Sequence, residues 1–210
     1  MKTRSAGFLT LLALFGLSGC ATMSGDECLT SDWHAIGFED GSRGYSMDRM
    51  ANHRKACAKH GVTPDFQAYQ TGRDEGLGDY CQPSRGFNLG VSGSRYNGVC
   101  PSHSERPFLD AYNTGFQLYS LRTNVSNANN GINSKRYELE RIEERVAQKE
   151  SELVSDTATA ERRVLLLSDL KDLSERSGQL EAEIYQLIED RTIYERELAQ
   201  YEAIIADSGY

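Results

Sequence analysis

Leu166-Leu167-Ser168-Asp169-Leu170-Lys171-Asp172-Leu173 begins the stripe of residues that decides the fold. Steps of four and three carry it from Leu166 through Leu170, Leu173, Ser177, Leu180, Ile184, Leu187, Arg191, Tyr194, Leu198 and Tyr201 to Ile205, and ten of these twelve positions are apolar or Tyr. Counting backwards from Lys149 gives a second stripe: Val146, Ile142, Leu139, Lys135, Ile132, Ala128, Val125, Leu121, Leu118, Thr114 and Ala111. Nine of its twelve positions are apolar. Heptad stripes sustained this long indicate helices packed on helices, each hiding its seam from water.

Between the stripes, Val154-Ser155-Asp156-Thr157-Ala158-Thr159 breaks the period and supplies capping residues. A turn near 155–160 folds the arms into an antiparallel, coiled-coil-like hairpin. It pairs Lys149 with Leu166, Val146 with Leu170, Leu139 with Ser177, Ile132 with Ile184 and Leu118 with Leu198. Lys135, Lys149 and Arg191 are costly on such a seam and point to a register lock or a partner. Asn127-Ala128-Asn129-Asn130-Gly131 reads as a hinge in the first arm.

The hairpin spans 108–210, and no proline follows Pro107. Residues 31–107 differ in kind, holding the single Trp, all four His and all four Pro. Helices are expected near 31–43, 47–60, 64–80 and 84–92, started by Ser31-Asp32, Ser46 and Thr63-Pro64 and stopped by Gly61. Gly37/Gly41, Gly72/Gly76 and Gly86/Gly90 each put a bare stripe on one helix face, at up to about 1 kcal/mol of propensity per glycine. Asp32-Trp33-xxx-Gly37, Gln67-Ala68-Tyr69-xx-Gly72 and Asp110-Ala111-Tyr112-xx-Gly115 form a loose internal echo. The fold class is therefore all-α: a small helical head followed by a long helical hairpin.

The start of the chain carries a targeting signal. Lys2 and Arg4 precede the apolar run Phe8–Leu17, which is far shorter than the roughly 20 residues a spanning helix needs. Leu17-Ser18-Gly19-Cys20 resembles the lipobox of bacterial lipoproteins. Residues 1–19 then form a signal peptide. Cys20 becomes the acylated, palmitate-bearing N-terminus, and 20–30 a short tether. Two or three acyl chains anchor firmly where one does not. Ala21 stands where Asp would direct inner-membrane retention, so the expected address is the outer membrane, facing the periplasm.

In that oxidising compartment Cys28, Cys57, Cys81 and Cys100 are expected to form two disulfides, with three connectivities open. A hairpin of the first two head helices would bring Cys28 beside Cys57, which favours Cys28–Cys57 and Cys81–Cys100. The 23 Lys and Arg, two of them in the signal peptide, face 31 Asp and Glu. That balance argues against nucleic acid and against docking on anionic headgroups.

Motifs of chemistry are weak. His53-xxx-Cys57-xx-His60 offers metal-ligand spacing, but a disulfide at Cys57 would leave only His53 and His60, so no metal is expected. Asp32, Glu39, Asp40 and Asp48 sit where helix starts attract acids. No nucleophile elbow, phosphate loop, calcium loop or dinucleotide fingerprint is present, so no catalytic residue and no cofactor is expected. Arg73, Arg85, Arg95, Tyr80 and Tyr96 offer a binding surface, unless the tyrosines instead cover the glycine stripes.

The head carries Cys28, Asp32-Trp33, Gly37, Asp40-Gly41, Gly44, His53, Ala56-Cys57-Ala58-Lys59-His60-Gly61, Pro64, Tyr69, Gly72-Arg73, Gly76-Leu77, Tyr80-Cys81, Gly86, Leu89-Gly90, Gly93, Tyr96, Gly98-Val99-Cys100-Pro101, Phe108, Tyr112, Gly115 and Leu118-Tyr119. Over roughly residues 28–120 this resembles domain of unknown function family 2799, small envelope lipoproteins of proteobacteria. The resemblance implies paired cysteines and a helical C-terminal extension, and brings no activity, substrate or catalytic residue.

The expected function is a non-enzymatic structural or protein-interaction role at the outer membrane. The lipid would hold the membrane, and the hairpin would hold an envelope protein or a second copy of the chain. The alternative is a cell-wall glycan-binding or glycan-hydrolysing head built on Trp33 with the head's tyrosines and acids.

Overall fold

The computed structural model describes residues 23–208, the side chain of Ser208 excepted, so the expected signal peptide and Cys20 lie outside the described residues. Among the described residues seven helices follow one another: α1 Gly25–Thr30, α2 Trp33–Ser42, α3 Asp48–Ala58, α4 Phe66–Tyr80, α5 Pro83–Val91, α6 Ser102–Leu153 and α7 Ala160–Ser208. The chain divides into two compact units that meet between Tyr80 and Cys81.

In the first unit, α1 occupies the stretch expected to be a tether. Ser24 and Glu27 form a reciprocal capping box, the signature S-x-x-E that the sequence carried in plain view. Met23 and Cys28 are already buried, joining Trp33, Met50, Ala56, Cys57 and Tyr69 in one cluster. Asp32 caps α2 by accepting from His34 and Ala35 N–H, and Asp65 caps α4 by accepting from Ala68. Pro64 thus lies just ahead of α4 rather than inside its first turn.

The Cys28–Cys57 disulfide forms as expected, but not through a hairpin of α2 and α3. The partner of α2 is α4. Gly37 abuts Tyr69 and Gly41 abuts Arg73, while Gly72 abuts His34 and Gly76 abuts Phe38. Contacts that advance together along both helices mean that α2 and α4 run parallel, with α3 in the return connection. A Cβ at any of these glycines would overlap a carbonyl oxygen of the other helix. The backbones touch, and that contact outweighs the tendency of consecutive helices to pair as antiparallel neighbours.

The second unit repeats the device. Gly86 abuts Phe108, Gly90 abuts Tyr112, and Gly115 abuts Phe87, so α5 lies parallel to the start of α6. The correspondence is residue by residue. Gly37, Phe38, Gly41 and Gly44 match Gly86, Phe87, Gly90 and Gly93; Tyr69, Arg73, Gly76 and Tyr80 match Phe108, Tyr112, Gly115 and Tyr119. Gly44 and Gly93 both end their helices at φ near +70° (69° and 67°), where a side chain is strained, and the rings of Tyr80 and Tyr119 cover them. The Arg73 guanidinium donates to the Tyr45 carbonyl, and the Tyr112 hydroxyl donates to the matching Ser94 carbonyl. The repeat therefore relates α2 to α5 and α4 to α6; the expected echo of Asp32–Gly37 in Gln67–Gly72 is not part of it, and the alignment of Tyr69 with Tyr112 is off by one helical turn. The second copy has no counterpart of α3. A nine-residue helix spans only about 13 Å, which residues 92–101 can retrace as an irregular strap. Cys81–Cys100 ties the N-terminal ends of α5 and α6 together.

The hairpin occupies the rest of this unit. α6 runs 52 residues without interruption, about 78 Å at 1.5 Å per residue, and α7 runs 49. It starts at Ser102, so the expected boundary at Pro107 falls inside it. So close to the helix start, the missing N–H leaves only the His103 carbonyl without an intrahelical bond. Asn127–Gly131 forms no break either; Gly131 instead admits the Leu187 side chain. The turn comes between Leu153 and Ala160, as expected, and Thr159 accepts from Arg162 N–H at the start of α7. Leu118, Ala128, Ile132, Ile142, Leu166, Leu173, Leu180, Ile184 and Ile205 are buried, all of them seam positions.

Candidate functional site

Three sets of residues in the described chain were candidates for chemistry or binding: the His53–Cys57–His60 face, the acids and aromatics of the head, and the polar positions on the hairpin seam.

Asp40, His53 and Tyr69 form a buried network in the first unit. His53 Nε2 lies 2.8 Å from Asp40 Oδ2, and the Tyr69 hydroxyl donates to the same oxygen at 3.0 Å. Arg49 approaches Asp40 Oδ1 at 3.6 Å and lies over the Tyr45 ring. The three elements that deliver these groups are α2, α3 and α4, so the site exists only once α4 has docked on α2. Burial raises the Tyr69 hydroxyl far above the ordinary phenol range, and the neighbouring Asp40 carboxylate adds to it. Tyr69 is therefore a donor to Asp40 and not a proton source at physiological pH.

His53 Nδ1 is buried with no hydrogen-bond partner among the described residues, and the His53 ring makes edge-type contacts with Trp33 and Tyr69. The side chains of both His53 and Asp40 are more than nine-tenths buried, so the pair has no open face for a substrate. The second helix pair shows what this network adds. At the positions of Asp40, Tyr69 and Arg73 it has Leu89, Phe108 and Tyr112, an apolar version of the same packing. The motif folds without charges, so the Asp40–His53–Tyr69 network fixes the geometry of α3, which only the first copy has.

His53 and His60 do not form a metal centre with Cys57. Cys57 is bonded to Cys28, His53 Nε2 is committed to Asp40, and the His60 ring packs over Gly25. Among the described residues no group of three or more His, Cys, Asp or Glu is placed to hold a metal ion. The other candidate acids are local: Asp32 caps α2, Glu39 pairs with Arg43, and Asp48 accepts from Ser46. Trp33 is buried. Arg73 is buried and spent on the Tyr45 carbonyl, Tyr80 covers Gly44, and Tyr96 packs on Phe108 while accepting from Cys100 N–H. The tyrosines thus serve the glycine stripes and the loops.

On the hairpin, each charged seam residue meets a partner across the arms. Lys135 pairs with Glu183, Lys149 with Asp169, and Arg191 donates to Asn129 Oδ1. Arg176 adds a bridge to Glu138 at 2.8 Å and one to Glu183. These bonds select the observed register over slips of seven, which an all-leucine seam would tolerate.

Hydrogen bonds from Lys149, Lys135 and Arg162 hold Asp169, Glu183 and Glu152 below the ordinary carboxylate range. Their contribution is present above the unfolded-state values and is lost as pH falls through the depressed folded values. Thermal melts followed by circular dichroism should therefore show lower stability at about pH 3 than at neutrality. A higher melting temperature in acid would contradict this.

Residues 32–117 match the model of a family described as protein of unknown function (DUF2799). This segment belongs to that family. The DUF2799 match begins at the Asp32 cap and ends two residues beyond Gly115, the last glycine of the second pair. It therefore covers both helix pairs and leaves most of the hairpin outside. No curated protein and no solved structure matches the chain.

Proposed function

We propose that this chain is an acylated envelope protein with a non-enzymatic, contact-making role, anchored through Cys20 in the outer membrane and facing the periplasm. The hairpin engages an envelope protein or a second copy of the chain. The observation that carries this reading is at the hairpin tip. The arms bury their leucines against each other, yet Val154, Val164, Leu165 and Leu167 remain 75, 67, 58 and 56 % exposed around the turn. An apolar collar of this kind costs solubility and marks a contact surface.

Photocrosslinking from Thr157 in intact cells tests it. A discrete adduct, lost on Val164→Glu/Leu167→Glu, is expected. No adduct from any position between Val154 and Leu167 would remove the hairpin tip from the account.

A further inference from the structure

The net charge of −8 hides a local excess of the opposite sign. Residues 49–64 contain Arg49, Arg54, Lys55 and Lys59 and not one Asp or Glu. Arg49 turns inward toward Asp40. Arg54, Lys55 and Lys59 are exposed and have no ion-pair or hydrogen-bond partner among the described residues. The helical period explains the division. Met50, His53 and Cys57 face the core, whereas Ala51, Arg54, Lys55 and Ala58 share the outer face. Beside them the Gly61–Pro64 turn completes an open depression of about 540 Å³. Ala51, Ala58, Gly61, Val62, Thr63 and Pro64 line its remainder, so no acidic group there shields the cations from a flat charged surface.

The position of this face matters as much as its charge. Met23 is buried in the same cluster as Ala56 and Cys57, and the His60 ring lies against Gly25. Only Ala21 and Thr22 separate Met23 from Cys20, a reach of at most about 11 Å in Cα steps. Leu29, one turn into α1, is 69 % exposed. If Cys20 is acylated, the end of the first unit that carries α1 and the last turn of α3 is held at the headgroup layer, with little freedom to turn away.

From these observations we infer that the Arg54–Lys55–Lys59 face of α3 docks on anionic phospholipid headgroups of the leaflet that holds the acyl chains. The inference rests on the acylation of Cys20 proposed above. The lipid supplies attachment, and the basic face supplies orientation. Each cation held near an anionic bilayer strengthens binding about fivefold, so the three together contribute on the order of a hundredfold. The acids nearest in sequence are engaged elsewhere: Asp48 accepts from Ser46, and Asp65 caps α4.

The test uses acylated protein purified from membranes and reconstituted into phosphatidylcholine vesicles with or without phosphatidylglycerol. Lysines are labelled with a water-soluble amine reagent and read by mass spectrometry, with Lys135 and Lys171 as internal references. Docking predicts that labelling of Lys55 and Lys59 falls severalfold in the anionic vesicles alone and recovers in high salt or in Arg54→Glu. Equal labelling in both vesicle types, with the protein anchored in each, overturns the inference and leaves acylation standing. Protection of the same lysines in isolated envelopes but not in anionic vesicles overturns it in favour of an acidic protein partner. An N-terminal peptide without acyl mass, together with failure to float with either vesicle, would instead reject the acylation on which it rests.

Discussion

Substituting Gly76 by alanine is expected to destabilise the first unit by about 2–4 kcal/mol, although alanine is the better helix former. The new methyl would overlap the Phe38 carbonyl oxygen and press on the Ser42 amide, both of them backbone atoms that no rotamer change can clear. The helices must separate, and the whole parallel contact loosens. Gly115→Ala in the second unit should behave alike, because its neighbours are the matching Phe87 carbonyl and Val91 amide. Gly72→Ala should be costly too, because its methyl would overlap the His34 carbonyl oxygen, although the matching position of the second pair is Ala111. Gly78→Ala is the control, since a methyl there meets nothing within 4 Å and should be neutral or slightly stabilising. Denaturant melts should therefore rank Gly76→Ala and Gly72→Ala well below Gly78→Ala. Losses no larger at Gly76 than at Gly78 would mean that the backbones do not touch.

The second large effect concerns the buried network. Asp40→Ala removes the acceptor shared by His53 and Tyr69 and leaves two buried polar groups unpaired, with Arg49 losing its counter-charge. Breaking a buried charged network from one side costs about 3–5 kcal/mol. Replacing the network as a whole should cost far less. The triple variant Asp40→Leu/His53→Leu/Tyr69→Phe imports the chemistry of Leu89 and Phe108, and a buried ionic group exchanged for apolar residues of similar volume is often neutral. We expect the triple variant to keep the Cys28–Cys57 bridge and to melt well above the single variant. Should the triple variant melt as low as Asp40→Ala or lower, the network would be indispensable to the fold and not an addition to it.

Both predictions turn on contacts between helices that are far apart in sequence, and this marks the limit of what could be read from residue order. The seam leucines, the turn after Leu153 and the register of the arms were legible because a heptad stripe is a local, periodic quantity. The S-x-x-E box that starts α1 is equally local, although the expected acylation of Cys20 just upstream suggests a tether there. The glycine spacings announced close contacts, yet spacing alone says nothing about which helix supplies the opposing carbonyl. The pairing of α2 with α4, and its parallel sense, therefore emerged only in three dimensions. Asp40, His53 and Tyr69 carry no motif at separations of 13 and 29 residues, and no periodicity links them. Likewise, the acidic total concealed the basic face of α3, because a sum over the chain discards where each charge lies.

The sequence by itself determined the helical class, the hairpin, that four cysteines pair among themselves and the resemblance to the DUF2799 family, since each depends on periodicity, composition or short motifs. Only the tertiary structure decided that the head is one parallel glycine-backed helix pair used twice, once with a buried polar network and once without. The reason is physical: apolar stripes constrain neighbours along one chain segment, whereas backbone-to-backbone contact and buried hydrogen bonds are properties of two surfaces that must first meet.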